Sequence, residues 1–389
     1  MLNAEENDLL TRIGPGTPAG EVLRRYWHPI SLAQDLSDEN PTKFVRILGE
    51  DLVIFRDKSG RTGLIADKCA HRSASMVYGR VEERGISCAY HGWLYDCEGN
   101  ILETPPERND AIMRSVKIKS YPVQVYLGLI WTYMGPVPVP PMTHYDTTHR
   151  KDGRRQILIH APLDCNWFQA MENSMDPAHL QVLHQASIGG RTGRTPVNTT
   201  RGFTDDVESY EFYVTDYGGL VKKRTYKTGM VDEHPVLFPN ILRQGASTQY
   251  RVPIDDTHTW HFRIFFYPTE DGSDAEDAFE PEIKYDPINK DDPDKIHPFA
   301  KYTMNSVNEE DQMAWETQGP ITDRSIEHLS YSDRGVVLLR RVMKENIERV
   351  QRGEDPIGIF RDPGHPMIDT NVTEGVRQIG VNTAPPVRR

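Results

Sequence analysis

The sequence predicts an α+β protein in two parts: a small all-β unit, then a larger unit whose helices pack on an antiparallel sheet. Three observations carry this expectation. Before residue 140, short alternating segments follow one another with turn clusters between them, the texture of hairpins. A proline-rich run, Gly135-Pro-Val-Pro-Val-Pro-Pro141, then interrupts the chain as a stiff linker. Beyond about residue 155, strand-like alternation gives way to long helical stretches, and strands followed by helices are the α+β order. A length of 389 residues also suits two cores better than one. The expected division is N-terminal helices over 1–27, the all-β unit over 28–140 and the larger unit over 141–389.

Each element follows from local pattern. Ala4 to Tyr26 reads as a short helix, a break at Gly14-Pro15-Gly16, and a second helix with Ala19, Val22, Leu23 and Tyr26 on one face. Phe44 to Arg56 alternates around a turn at Gly49-Glu50-Asp51, and Asp57-Lys58-Ser59-Gly60 closes that hairpin. Short strands follow, with a turn at Asp96-Cys97-Glu98-Gly99-Asn100. Trp167 to His184 is a helix candidate with turn-forming Asp176-Pro177 inside it. Strands return at 207–216, 221–226 and 257–267, the last placing Trp260, Phe262, Ile264 and Phe266 on one face. Residues 268–296 are acidic and Pro-rich and read as a surface excursion. Helical texture returns at 304–318 and 335–352.

Composition excludes several function classes. A net charge of −12 argues against a nucleic-acid partner, which needs a basic face. The longest apolar stretch, Val125 to Met134, is broken by Gly128 and is too short to span a bilayer, so no membrane role is expected. The acidic opening MLNAEENDLL has no signal-peptide pattern, which makes the cytoplasm the expected location. The cysteines are Cys69, Cys88, Cys97 and Cys165, and their spacing suggests no disulfide framework.

Two of those cysteines stand in the most informative motif. Cys69-Ala-His71 is followed, after sixteen residues, by Cys88-Ala-Tyr-His91. Two thiolates and two imidazoles on separate loops match a [2Fe–2S] cluster in which His₂ replaces Cys₂ on one iron, the Rieske centre. Structural zinc is the competing reading, since it uses the same ligand types, although zinc modules more often begin with Cys-x₂₋₄-Cys pairs. Gly92, directly after His91, lets the backbone pass close to cluster sulfurs. No further cysteine accompanies either pair, so the bridged loops of respiratory Rieske proteins are not expected.

A second constellation is Asn173-Ser-Met-Asp176-Pro-Ala-His179-Leu-Gln-Val-Leu-His184. Asp176 and His179 are three apart, neighbours on one helix face. His179 and His184 are five apart, so on a helix their imidazoles converge only across a widened, π-type turn. Two His and a carboxylate are the facial triad of non-haem Fe(II) oxygenases. Taken alone, two helical histidines are more often surface or capping residues; the upstream Cys/His pairs reverse the reading to iron.

With both motifs in place, the whole chain resembles the oxygenase subunits of Rieske non-haem iron oxygenases. The opening Glu6-Asn-Asp-Leu-Leu-Thr-Arg-Ile-Gly-Pro-Gly-Thr-Pro18 resembles the phthalate 4,5-dioxygenase type, whose members act on aromatic carboxylates. The resemblance implies a helix-grip catalytic domain, a [2Fe–2S] cluster, Fe(II) and O₂ as co-substrate. It implies a third iron ligand in a Glu-Asp-x₄-Glu context on the late helix, where Asp311 fits and Glu310 is the alternative. An acidic first helical turn also explains carboxylates there without a metal. Asp176 sits where the family places a carboxylate linking His91 of one subunit to His179 of another, with Asn173 one turn before it. An intermolecular link requires a closed head-to-tail ring, a trimer or a dimer of trimers.

The expected activity is cis-dihydroxylation of an aromatic acid, with O- or N-demethylation as the alternative. Without a Gly-x-Gly-x-x-Gly loop or a four-cysteine ferredoxin pattern, the chain needs a separate NAD(P)H-dependent flavin/iron–sulfur reductase. A carboxylate substrate calls for an arginine fork. Arg243, pointing inward from a strand, is the first candidate. Arg191, Arg194 and Arg201 follow in a Gly-rich stretch after the iron helix; as solvated surface arginines, all four would need no ligand.

Overall fold

The computed structural model describes residues 2–184, 207–286, 302 and 306–371. They form two compact units, Ile13–Val139 and a larger one made of Met1–Arg12 with Pro140–Arg389. The two N-terminal helices, read from sequence as one segment, divide between them. α1 (Ala4–Thr11) belongs to the larger unit and α2 (Pro18–Leu23) to the smaller. A capping box starts α1: Glu6 N donates to Asn3 Oδ1 at 2.8 Å and Asn3 N to Glu6 Oε2 at 3.1 Å.

The smaller unit is built of short antiparallel sheets. Its strands are β1 (Trp27–Leu32), β2 (Thr42–Ile47), β3 (Glu50–Arg56), β4 (Thr62–Ala66), β5 (Arg80–Glu82), β6 (Gly85–Ser87), β7 (Leu94–Tyr95), β8 (Ile101–Glu103), β9 (Val123–Tyr126) and β10 (Leu129–Tyr133). They pair as β2-β3-β4, β1-β10-β9 and β5-β6-β7-β8, with a short α3 (Ala111–Ser115) beside the last. The β2–β3 turn is Leu48-Gly49, one residue earlier than expected, and both residues take positive φ (47° and 72°). Such a turn matches the twist of the strands it joins. Val53, Phe55, Ile65, Met76, Ile86, Trp93 and Tyr95 form a core that also takes in Cys69 and Cys88.

The larger unit carries α4 (Asp146–His149), β11 (Gly153–His160), α5 (Trp167–Met175) and α6 (His179–Val182). The strands β12 (Val207–Val214), β13 (Gly219–Tyr226), β14 (Val231–Leu237), β15 (Ile241–Gln244), β16 (Ser247–Asp255), β17 (His258–Pro268) and β18 (Glu282–Asp286) follow. α7 (Val307–Glu316) and α8 (Arg334–Gln351) complete it. The strands form one eight-stranded sheet in the order β12-β13-β14-β15-β16-β17-β11-β18. Every neighbouring pair is antiparallel except β11–β18, so the sheet is mixed at one edge. That edge strand comes from the segment read as a surface excursion. Among the described residues, no helix is long and apolar enough to cross a membrane.

The sheet has two faces, and the difference positions the site. On β16 and β17, Thr248, Tyr250 and Val252 oppose Ile264, Phe262 and Trp260, while Gln249 and Arg251 oppose Arg263 and His261. Thr248 reaches Thr147 of α4 through a hydroxyl–hydroxyl bond, so the first set faces α4. Arg251 and His261 lie against Trp315 of α7, so the second faces α7. Seven consecutive residues of β16 are buried, and burial on both faces removes the alternation by which a strand is recognised in sequence.

Candidate metal centres

Cys69 and His71 lie on the loop after β4, and Cys88 and His91 on the loop between β6 and β7. Both loops are closed by the same pair of hydrogen bonds. Ser73 N donates to Cys69 O (2.8 Å) and Cys69 N to Ala74 O (2.9 Å). In the other loop Gly92 N donates to Cys88 O (2.9 Å) and Cys88 N to Trp93 O (2.9 Å). The fifth residue of each turns left-handed, Ser73 at φ 57° and Gly92 at φ 73°. Two equivalent turns therefore present a Cys/His pair each.

Their environment is graded. Both thiols are buried, whereas His71 and His91 are partly open to solvent and their rings lie 4.6 Å apart. His71 stacks flat on Trp93 (4.6 Å), and the Tyr95 hydroxyl is 3.1 Å from Cys69 Sγ. Burial, and then the neighbouring Cys69, push the Cys88 thiol upward, against the backbone N–H groups of Tyr90 and His91. Buried sulfurs ringed by N–H and O–H donors, with imidazoles at the rim, fit a cluster that keeps thiolates on one iron and imidazoles on the other. Tetrahedral zinc would gather all four donors around one point. Among the described residues, the group so gathered is a different one.

That group is His179, His184 and Asp311, whose ligand atoms all lie within 4.8 Å of one another. α5 begins at Asn166, whose side chain accepts from Phe168 N at 3.0 Å, and ends at Met175. Asp176 precedes Pro177, which excludes the helical region for it, and its φ/ψ of −90°/112° is extended. α6 then restarts at His179. The widened helical turn expected from sequence is absent: after the break at Asp176-Pro177, α6 runs only from His179 to Val182, so His184 lies just past its end, where the two imidazoles meet. Their ring centroids are 5.4 Å apart and nearly perpendicular.

α7 supplies the carboxylates. Asp311 Oδ1 lies 3.2 Å from His184 Nε2 and 3.7 Å from His179 Nε2. Glu310 Oε2 instead takes the far side of the ring, 2.6 Å from His184 Nδ1. The two neighbouring carboxylates thus have different positions, Asp311 at the convergence point and Glu310 behind His184. Asn173 Nδ2 lies 3.5 Å from Asp311 Oδ1, and Asp176 Oδ2 lies 3.5 Å from His179 Nδ1. Burial opposes charging His184, but Asp311 and Glu310 outweigh it and lift its imidazolium to about 9. Burial likewise opposes ionising Asp311, and the two histidines hold it down to about 2. His184 Nε2 is buried and makes no hydrogen bond, with Asp311 Oδ1 3.2 Å away, so a divalent cation between them would take the place of the ring proton. The donor set fits Fe(II).

Arg243 is placed elsewhere. It opposes Thr248, on the sheet face turned to α4, where its Nη2 meets Asp146 Oδ2 at 3.2 Å and its Nε donates to Thr370 Oγ1 at 3.1 Å. Its fork serves a buried ion pair, away from the metal group. Arg191, Arg194 and Arg201 lie outside the described residues. Sequence reasoning missed the polar residues of the face under α7: Lys222 and Arg224 on β13, Asp232 and His234 on β14, Arg251 on β16 and His261 on β17. Arg224 Nη1 donates to Pro177 O at 3.1 Å, supporting the break before His179. A signal was present, since His261 and Arg263 alternate with the aromatic face of β17.

Known proteins resemble the chain over most of its length. Residues 26–122 match the Rieske [2Fe-2S] domain family and residues 247–377 the LigXa C-terminal domain-like family. The 5,5'-dehydrodivanillate O-demethylase oxygenase subunit of Sphingobium sp. (strain NBRC 103272 / SYK-6) is 39% identical, covering 93% of this chain and 84% of that protein. The phthalate 4,5-dioxygenase oxygenase subunit of Pseudomonas putida is 32% identical, covering 92% of this chain and 89% of that one. Among solved structures, the fluorene-bound oxygenase–ferredoxin complex of carbazole 1,9a-dioxygenase superposes with a TM-score of 0.62 at 19% identity, covering 91% of this chain and 99% of its own.

Proposed function

The chain belongs to the Rieske non-haem iron oxygenases, using a [2Fe–2S] cluster, Fe(II) and O₂, and on that premise we propose that it hydroxylates an aromatic carboxylate. The oxygenase chemistry is supported by one observation above all, the convergence of His179, His184 and Asp311. O-demethylation of a methoxy-substituted acid is the reading favoured by the 39% identical relative. It consumes O₂, two electrons and two protons, and yields a phenol, formaldehyde and water. Ring cis-dihydroxylation, favoured by the phthalate relative, is the second reading and places both oxygen atoms on the ring.

The residue roles follow from the donor atoms. Cys69 and Cys88 would hold one iron of the cluster and His71 and His91 the other, within the domain assigned to 28–140. His179 Nε2, His184 Nε2 and Asp311 Oδ1 would hold Fe(II), which when bound supplies activation of O₂. Glu310 accepts the Nδ1–H of His184 and so fixes the tautomer that leaves Nε2 free. Asp176 Oδ2 lies 3.5 Å from Nδ1 of His179 without a hydrogen bond between them, and its side chain stays one-quarter exposed. Its Oδ1 accepts the Ala178 N–H at 2.8 Å, and the exposed part of the carboxylate would meet His91 of a neighbouring subunit in a head-to-tail ring. Electrons come from a separate flavin/iron–sulfur reductase.

The test is turnover of phthalate isomers, phenoxybenzoates and methoxybenzoates under ¹⁸O₂ with a surrogate reductase. Formaldehyde release supports demethylation, and a doubly labelled cis-dihydrodiol supports dihydroxylation. Oxidation confined to substrates lacking a carboxylate would sink the aromatic-acid reading and leave the oxygenase assignment standing.

A further inference from the structure

The sheet face beneath α7 carries a buried cationic row that the metal site does not use. Arg251 on β16 pairs directly with His261 on β17. His160 follows on β11, its ring 4.6 Å from that of His261 and 21° from parallel. All three are at most 2% exposed. Arg251 Nη2 donates to Gln249 Oε1 at 3.2 Å. Among the described residues, its Nε and Nη1 have no partner, nor has Nε2 of His261.

A buried guanidinium is seldom left in this state, because water is a far better solvent for it and buried polar groups are nearly always bonded. Asp311, the carboxylate whose charge acts on it, is committed to His184. The unused N–H groups therefore await an acceptor. Burial, then His160 and Arg251, drive His261 well below the usual imidazole range, so it stands neutral beside the guanidinium. Arg251 keeps its positive charge, since arginine does not deprotonate in proteins, and Arg263, opposite Gln249 on the same face, adds a second.

Trp315 relates this row to the metal site. It follows Asp311 by four residues, about one helical turn or ~6 Å along α7. Its ring lies 5.3 Å from the Arg251 guanidinium and 5.7 Å from the His261 ring.

We propose that Arg251, flanked by His261 and His160, receives the carboxylate of the aromatic substrate and so sets which ring position or substituent faces the iron ligands. This rests on the aromatic-acid reading above and names the residue that enforces it. The anion supplies the acceptors the row lacks, and charge-assisted bonds to a buried guanidinium discriminate strongly against a neutral head group.

Calorimetric titration of the iron-loaded protein tests it, with phthalate, 3-phenoxybenzoate and 3-methoxybenzoate each compared with its neutral amide. The wild type should bind at least one acid ten or more times more tightly than the amide. Arg251→Gln should erase that preference by weakening acid binding at least tenfold, with amide binding within twofold and iron and cluster content unchanged. Arg251→Lys should restore part of the preference, and Arg251→Met serves if the glutamine variant misfolds. Equal acid binding in wild type and Arg251→Gln overturns the proposal, as does a wild type that prefers no acid. Reductase-coupled O₂ uptake, measured alongside, shows whether the oxygenase reading survives that failure.

Discussion

His184 stands between two carboxylates that follow one another in sequence, and their division of labour is a matter of which ring nitrogen each meets. Asp311 lies toward Nε2 and Glu310 toward Nδ1, at 3.2 and 2.6 Å. Glu310→Gln keeps the size of the group and weakens its acceptance of the Nδ1 proton. Iron affinity at the mononuclear site should fall roughly 10- to 100-fold, the usual effect of removing an outer-shell partner, while the Rieske spectrum persists. Titration of apoprotein with Fe(II) checks this, and unchanged affinity would return Glu310 to a purely structural role. Asp176→Asn should leave both metals bound and cut reductase-coupled turnover by about 10- to 100-fold. Full activity in that variant would remove Asp176 from the route between the centres.

At the scale of elements, the metal site depends on a helix that stops. Pro177 disfavours the helical region for Asp176, and α6, restarting at His179, ends at Val182, so His184 lies beyond the regular helix, where a five-residue spacing can converge. The spacing was legible in the sequence and the break residues were visible inside the helix candidate, yet the geometry joining them was read as a widened turn. Local pattern reports that a proline perturbs a helix, but not whether packing on either side lets the chain bend or stop. Here α5 is held firmly. Glu172 binds Arg324 Nη2 at 2.7 Å and Arg340 Nε of α8 at 2.6 Å, all three side chains being nearly buried. Glu172→Ala leaves those guanidiniums short of a buried partner and should cost about 3 kcal/mol, read as a lower urea midpoint with an unchanged slope. A midpoint shift below about 0.5 kcal/mol equivalent would show that water, or Glu327, whose Oε2 accepts from Arg340 Nη2 at 2.8 Å, compensates.

For the whole molecule, the proposed link from Asp176 to His91 of a neighbouring subunit predicts complementation. A Cys69→Ala chain lacks the cluster and a His184→Ala chain lacks the mononuclear iron, so each assembly alone should be inactive. Co-assembled, they should regain turnover, because an intact cluster in one subunit then serves an intact iron site in the next. Mixed assemblies as inactive as their parents would place the electron path within one chain. What the sequence determined by itself was the chemistry carried by short spacing: Cys69-x-His71, Cys88-x-x-His91 and Asp176-x-x-His179-x₄-His184 each lie on one loop or helical stretch. Ligands that close together are held by local backbone geometry, and four such residue types seldom coincide without a metal. The tertiary structure decided everything that depends on which face of an element is buried against what. It set Asp311 rather than Glu310 at the convergence point, turned Arg243 to Asp146 on the far side of the sheet, and left Nε and Nη1 of Arg251 without a partner among the described residues. The reason is that a strand buried on both faces shows no alternation, so its polar residues reveal their side only once the neighbouring strands and helices are in place.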